Sequence, residues 1–348
     1  MKGRGAGLMR RMKVGNTGME ASVISMGTLS IGGDGVWGAN DDTVSIRTIH
    51  RALELGIDWF DSSNFYGFGH AEEVLGQALQ GRRDKCFIST KCGLEWDTGE
   101  GSPFFTRDGH QIYRNLSPMA VRRSLEGSLR RLKTDYIDLY ITHWQSVPPA
   151  FTPIEETMGT LMDLKKEGKI RAIGASNVTA EDIREYLKYG QLDLIQERYS
   201  MLDPTSYDRL NGLCLEHNIT YQAYSVLERG LLTGAYTMES KVTPGDARNE
   251  WSVWYQPKRR KRIIDLIEAW KPLCDKYGTT QAGLTIAWTL QQAPNINVDA
   301  GSRRVEAIEQ NARGGGFLIE DGDLSMMNAM IKTVLDEEGI VGGNPAGK

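Results

Sequence analysis

Four polar residues stand at or just beyond the ends of short apolar runs. Asp61 closes Trp59-Phe60-Asp61, and Tyr66 follows it in Ser62-Ser63-Asn64-Phe65-Tyr66-Gly67. Lys91 closes Phe87-Ile88-Ser89-Thr90-Lys91, and His143 follows Ile141-Thr142. An aspartate or lysine buried alone at such a place is costly, so each needs a partner. The set has a coherent chemistry. A tyrosine with its ordinary pKa of about 10 is a weak acid at neutral pH. A neighbouring ammonium favours the phenolate and lowers that pKa, and a carboxylate holds the ammonium in place. A histidine beside them can orient a carbonyl oxygen. Tyr66 as proton donor, Lys91 as its tuner, Asp61 as anchor and His143 as orienter would suit reduction of a carbonyl. The plainer reading of the same residues is a structural ion pair and a structural histidine.

Positioning such a set requires strand ends that converge. Short apolar runs alternate with amphipathic segments along the whole chain, the signature of a parallel α/β fold. The spacing predicts strands at Val23–Met26, Ile57–Asp61, Phe87–Lys91, Ile137–Thr142, Ile170–Ala175, Leu194–Glu197, Thr220–Tyr224 and Ile296–Asp299. Helices are expected between them, including Thr43–Leu55 capped by Asp41 or Asp42, one from Ser117-Pro118 to Leu132, and Arg259–Tyr277. Eight strands with intervening helices point to a (β/α)8 TIM barrel, with a doubly wound open sheet as the rival. No G-x-G-x-x-G opens a helix after the first strands, which disfavours a Rossmann dinucleotide site. Three long connections, 28–41, 93–116 and 226–257, all follow strands, so in a barrel all three rise over the face where chemistry sits. Asp108-Gly109 in the second is a hairpin signal. Trp37, Trp144, Trp251 and Trp254 are candidate walls of a substrate pocket, with capping of the core as the alternative.

Composition narrows the classes. The chain has 348 residues with a net charge of −4, so nothing favours a nucleic-acid partner. The basic run from Lys258 to Arg262 reads as a solvated helix start. The four cysteines lie in no C-x-x-C spacing, and His50, His70, His110 and His217 lack metal-ligand spacing, so neither a disulfide framework nor a metal site is expected. No apolar run is long enough to span a bilayer. The expectation is a cytoplasmic protein with no membrane or nucleic-acid partner, compatible with a homo-oligomer. One domain is expected over residues 12–336, between a flexible N-terminus (1–11) and a flexible tail (337–348).

The chain resembles the aldo-keto reductase superfamily from about Met12 to Ala312. Val14–Ser22 is similar to the family's opening hairpin, and Gly56–Gly67 to its aspartate–tyrosine signature. Ser128–Tyr140 with His143-Trp144 is similar to the segment leading to the family histidine, and Gly168–Asn177 to the stretch that meets the nicotinamide. The resemblance implies that Asp61, Tyr66, Lys91 and His143 are catalytic. It implies a nicotinamide cofactor, NADPH (NADP+), contacted at Gly27 and Thr28. Ser176, Asn177 and Gln196 would bind its carboxamide, and Tyr224 would stack on the ring. Ser225, Leu227, Gly230, Leu232 and Gly234 would fold over the pyrophosphate. Gly301, Ser302, Arg303 and Asn311 would hold the adenosine end. It implies reduction of a small or sugar-like aldehyde to an alcohol. The alternative is a nucleotide-binding regulatory subunit like those of potassium channels, with slow turnover or none. The sequence departs from the family pattern at Val226, at Val298-Asp299-Ala300, and at Ala307 and Gln310.

Overall fold

The computed structural model describes residues 7–33, 35, 37–241 and 252–338. A short antiparallel hairpin, β1 (Arg11–Lys13) and β2 (Glu20–Ser22), comes first. Eight parallel strands then close a barrel: β3 (Ile24–Gly27), β4 (Trp59–Asp61), β5 (Phe87–Cys92), β9 (Ile137–Thr142), β10 (Ile170–Ser176), β11 (Leu194–Arg198), β12 (Thr220–Tyr224) and β13 (Ile296–Asp299), the last pairing back onto β3. Inserted after β5, three strands form a small antiparallel sheet over the mouth: β6 (Leu94–Glu95), β7 (Ser102–Arg107) and β8 (His110–Arg114). The open-sheet alternative is thereby excluded.

Eleven helices are present among the described residues: α1 (Asp42–Glu54), α2 (His70–Ala78), α3 (Pro118–Leu132), α4 (Ile154–Lys166), α5 (Ala180–Tyr189), α6 (Thr205–Glu216), α7 (Pro257–Glu268), α8 (Lys271–Tyr277), α9 (Gln281–Leu290), α10 (Val305–Arg313) and α11 (Asp321–Glu338). Their starts follow local chemistry. The Asp41 carboxylate accepts from the backbone of Thr43 and Val44. Ser117 caps α3, with a proline in its first turn, where the missing amide hydrogen costs nothing. Two segments differ from expectation. The single helix expected over 259–277 is two, because Pro272 has no amide hydrogen to continue α7; Trp270 caps a new start instead. Strand β4 begins at Trp59 rather than Ile57, because the Ile57 amide donates to Ala52 O (3.0 Å) and completes the end of α1.

The barrel is filled in two storeys. Its lower end packs Trp59, Phe87, Leu139, Ile141, Ala172 and Leu194 against Val14 and Ala21 of the hairpin segment, which plugs that end. Burial of each large side chain here contributes about 1.5–3 kcal/mol. The larger apolar cluster lies between the strands and the helices. Above the plug, toward the C-terminal strand ends, the interior turns polar. Ser25, Ser89, Gln196, Gln222 and Asn297 are all buried there. Gln196 Nε2 donates to Gln222 Oε1 (2.7 Å), and Gln222 Nε2 to Asn297 Oδ1 (2.9 Å) and Ser25 Oγ (3.0 Å). Every one of these groups has a partner, so the layer is affordable in a dry interior and forms the floor of the mouth.

Candidate active site

Asp61 and Lys91 meet because β4 and β5 are neighbours in register, Asp61 opposite Ser89. Lys91 Nζ donates to Asp61 Oδ2 at 2.5 Å and to the carbonyl of Ser62 at 2.7 Å. The other carboxylate oxygen accepts from Ser89 Oγ at 2.7 Å, itself fixed by Trp59 Nε1 at 3.0 Å. Lys91 and Asp61 are 0% and 1% exposed, so each neutralises a charge the other could not carry there alone. Burial, the largest single effect, works against the charge of Lys91, but Asp61, Tyr66 and Asp299 together outweigh it and the pKa rises; the amine stays an ammonium.

Tyr66 opens a tight turn, Tyr66–Gly69, that follows the buried run Ser62–Phe65. Its ring centre lies 4.8 Å from Lys91 Nζ. Burial pushes its pKa up to about 12, with Lys91 lowering it and Asp61 raising it. This corrects the expectation of a net downward shift: the ammonium limits the rise but does not reverse it. The hydroxyl is therefore protonated throughout the neutral range, the state a proton donor requires. His143 follows β9 and stands edge-on to Tyr66, ring centroids 5.9 Å apart at 83°. Its Nδ1 is 3.2 Å from Ser63 Oγ. Burial, then Lys91, depresses its pKa well below 6.5, so the imidazole is neutral. The four side chains thus converge on one mouth, although they come from three different strand ends.

Beside this set stands a group of amides. Asn177 adopts a left-handed conformation, φ 56°. Its Nδ2 donates to the carbonyl of His143 (2.8 Å) and to Ser176 Oγ (3.1 Å). Its Oδ1 accepts from the Tyr224 hydroxyl at 2.9 Å, which fixes that ring at the end of β12. Ser176 Oγ donates to the carbonyl of Gln196 at 2.7 Å. Ser176, Asn177, Gln196 and Tyr224 are thus brought together. An amide-and-hydroxyl rim next to a fixed aromatic face is the complement of a flat ring bearing a carboxamide, so these residues fit a nicotinamide.

The remaining residues named from the sequence lie after β3, β12 and β13. Thr28 Oγ1 lies within hydrogen-bond distance of the carbonyl of Asp61 (3.1 Å) and of Ser62 Oγ (2.9 Å), tying the end of β3 to the ion pair. The segment after β12 turns through positive φ at Ser225 (61°), Gly230 (99°) and Gly234 (77°), and carries Leu227 and the buried Leu232. A clamp that the sequence did not reveal anchors it. Glu228 is buried and takes Arg198 at 2.8 Å through both oxygens and Ser200 Oγ at 2.5 Å. Gly301 passes so close to Gly27 that a Cβ would lie 2.4 Å from Gly27 O. Ser302 Oγ accepts the amide of Arg304 (3.0 Å), and Arg303 donates to the carbonyls of Gly38 (3.4 Å) and Ala39 (3.1 Å). Asn311 Nδ2 donates to the carbonyl of Ala300 at 3.3 Å.

The tryptophans separate. Trp144 joins the mouth, its ring 5.1 Å from Phe104 of β7 and 4.9 Å from the Arg114 guanidinium of β8. The hairpin that carries them turns at Asp108-Gly109, both with positive φ, as the sequence signal predicts. Trp37 stands half-buried in the loop after β3. Trp254 is in the main apolar cluster with Tyr255, so its bulk serves packing. Trp251 lies outside the described residues. A further group was missed. Glu197 is buried, accepts from the Val178 amide (2.7 Å) next to Asn177, and is pushed up to about 8 by burial. A charged residue inside the apolar β11 pattern was its only signal.

A closed parallel barrel with these groups at one mouth defines a barrel oxidoreductase of the carbonyl-reducing kind. Comparison with known proteins agrees. The model of the aldo/keto reductase family matches residues 23–332, and the chain belongs to that family. It is 42% identical over 328 residues to the NADH-specific methylglyoxal reductase of Escherichia coli, covering 94% of this chain and 99% of that one. It is 32% identical over 332 residues to the aldo-keto reductase YhdN of Bacillus subtilis, covering 94% and 96%. Among solved structures it is similar to a glycerol dehydrogenase from Gluconobacter oxydans, with 29% identity, TM-score 0.83 and coverage of 97% and 98%. The chain is an oxidoreductase that reduces a carbonyl with a nicotinamide cofactor. The regulatory-subunit alternative is not favoured. Among the described residues no helix is long and apolar enough to cross a membrane.

Proposed function

We propose that the chain reduces a small or sugar-like aldehyde to its alcohol, with Tyr66 as the proton donor and NADPH as the cofactor. The observation that carries this reading is the buried Lys91–Asp61 pair beneath the Tyr66 ring, with neutral His143 edge-on to it. When bound, the nicotinamide supplies the hydride to the carbonyl carbon. Tyr66 gives its proton to the carbonyl oxygen, and the phenolate left behind is stabilised by the Lys91 ammonium. Asp61 holds that ammonium, and His143 orients the carbonyl oxygen without adding a charge. Ser176, Asn177 and Gln196 would hold the carboxamide and Tyr224 the ring. Gly27, Thr28 and the segment 225–234 would enclose the pyrophosphate, and Gly301, Ser302, Arg303 and Asn311 the adenosine end. Trp37 and Trp144, with the β7–β8 sheet, would wall the substrate.

The cofactor preference rests on Arg303. Its guanidinium bridges the start of α10 and the loop after β3 on the solvent side, where it would meet a 2′-phosphate. The relative from Escherichia coli is named NADH-specific, so NADH is the competing reading. The test is incubation with NADPH or NADH and a panel of short aldehydes, sugars and an α-oxoaldehyde such as methylglyoxal, the substrate in that relative's name. Loss of nicotinamide absorbance with at least one aldehyde is expected, faster with NADPH. Inactivity with every carbonyl and both cofactors overturns the reading.

A further inference from the structure

One departure from the family pattern, Asp299, reaches the catalytic mouth. It ends β13, opposite Ser25 of β3. Ser25 Oγ donates to its Oδ1 at 3.2 Å. Its carboxyl lies against Gly27, where a Cβ would sit 2.7 Å from Oδ2. Gly27 is in turn in register with Asp61. Asp299 thus shares the field of Lys91 and Tyr66 with Asp61. Among the described residues it makes no ion pair, because Lys91 is already bound to Asp61 and Ser62.

Asp61 faces Asp299 from β4, Lys91 from β5, and Tyr66 from the turn after β4. On the neighbouring β12 the titratable group at its level is Tyr224. In the following segment Arg303 is held on the carbonyls of Gly38 and Ala39. One ammonium therefore serves two carboxyls at the mouth, Asp61 buried and Asp299 half-buried. Two like charges at such a site do not both ionise readily, and the one without the direct ammonium contact keeps its proton.

We propose that Asp299 is a positioning residue of the reduction: a carboxyl that is neutral at the acid side of the working range and whose ionisation at higher pH weakens Tyr66 as a proton donor. The inference rests on the reading of Tyr66 as that donor. Burial first, and then Asp61, raise the pKa of Asp299 well above that of an ordinary aspartate, in keeping with the geometry. Once ionised, its charge opposes formation of the Tyr66 phenolate. Asparagine fills the same space and never acquires the charge.

The experiment compares the pH profile of kcat for Asp299→Asn with that of the wild type. The ratio of variant to wild-type rate is expected to climb with pH, by at most about tenfold for a one-unit displacement of the Tyr66 ionisation. A purely structural role would change both rates by one factor at all pH values, and a ratio constant with pH overturns the proposal. A second measurement needs neither turnover nor cofactor. The infrared spectrum of the wild type minus that of Asp299→Asn should show a protonated-carboxyl band at the acid end that disappears on alkalinisation. Absence of that band at every pH overturns the proposal even if the variant folds poorly. Tyr66→Phe, measured alongside, separates the two claims. An inactive Tyr66→Phe with a flat Asp299→Asn ratio refutes this inference alone, and an active Tyr66→Phe refutes the proton-donor reading.

Discussion

Replacing Lys91 by methionine removes the ammonium while keeping a long, flexible side chain in its channel. The charge lies 4.8 Å from the centre of the Tyr66 ring. At an effective dielectric of about 20, unit charges at that separation interact by about 3.5 kcal/mol, or about two and a half decades in rate. The phenolate exists only as the proton leaves, so the loss falls on kcat and leaves KM little changed. The same substitution strands Asp61, which is 1% exposed, and the loss of a partner from a buried pair costs about 3–5 kcal/mol of stability. Both effects are measurable on one preparation: steady-state reduction of a short aldehyde at saturating cofactor, with thermal unfolding alongside. The account predicts a fall in kcat of about a hundredfold or more together with a lowered Tm. If Tm falls while kcat stays within about threefold, the pair is structural only and the electrostatic reasoning is refuted.

Two further outcomes follow from the site. His143 is held neutral, with a folded pKa below 6.5, so the unfolded chain takes up the proton first as pH falls. Its contribution is complete above the unfolded pKa and is lost as pH drops below it, so stability declines on acidification. Urea unfolding at stepped pH should show a flatter acid decline for His143→Gln, and equal slopes would contradict this. Arg303→Ala should weaken NADPH binding by about ten- to a hundredfold, the value of a charged hydrogen bond of about 1.5–3 kcal/mol, with NADH affinity unmoved. Equal wild-type affinities for the two cofactors would show that Arg303 reads no phosphate.

The proposed catalytic set was legible in the sequence because polar residues at the ends of apolar strands have few places to go. In a barrel those ends meet, and Asp61, Lys91, Tyr66 and His143 do meet. The helix start at Ser117-Pro118 was equally legible, being set by side chains one to three residues away. What escaped depends on contacts between distant segments. The hold of Arg198 on Glu228 spans 30 residues, and the link from Gln222 to Ser25, which continues that from Gln196, spans 197. Local patterning carries no trace of either. The direction of the Tyr66 shift was misjudged for a related reason. The sequence places a lysine near it but not the depth of burial, and burial is the larger effect. Asp299 stood out only as a break in a familiar pattern, and its closeness to Gly27 and the Lys91–Asp61 pair required the closed barrel.

The most direct test of the account is Tyr66→Phe, examined in a single turnover with the reduced cofactor already bound. The substitution removes one hydroxyl and leaves the ring over Lys91, so cofactor affinity, read from fluorescence quenching, should be unchanged. General acid catalysis by a positioned group is worth about 10²–10⁴-fold, and the account predicts that oxidation of the bound cofactor by an aldehyde slows by at least that amount. Turnover within about tenfold of the wild type, with the cofactor bound as tightly, would contradict Tyr66 as the source of the proton.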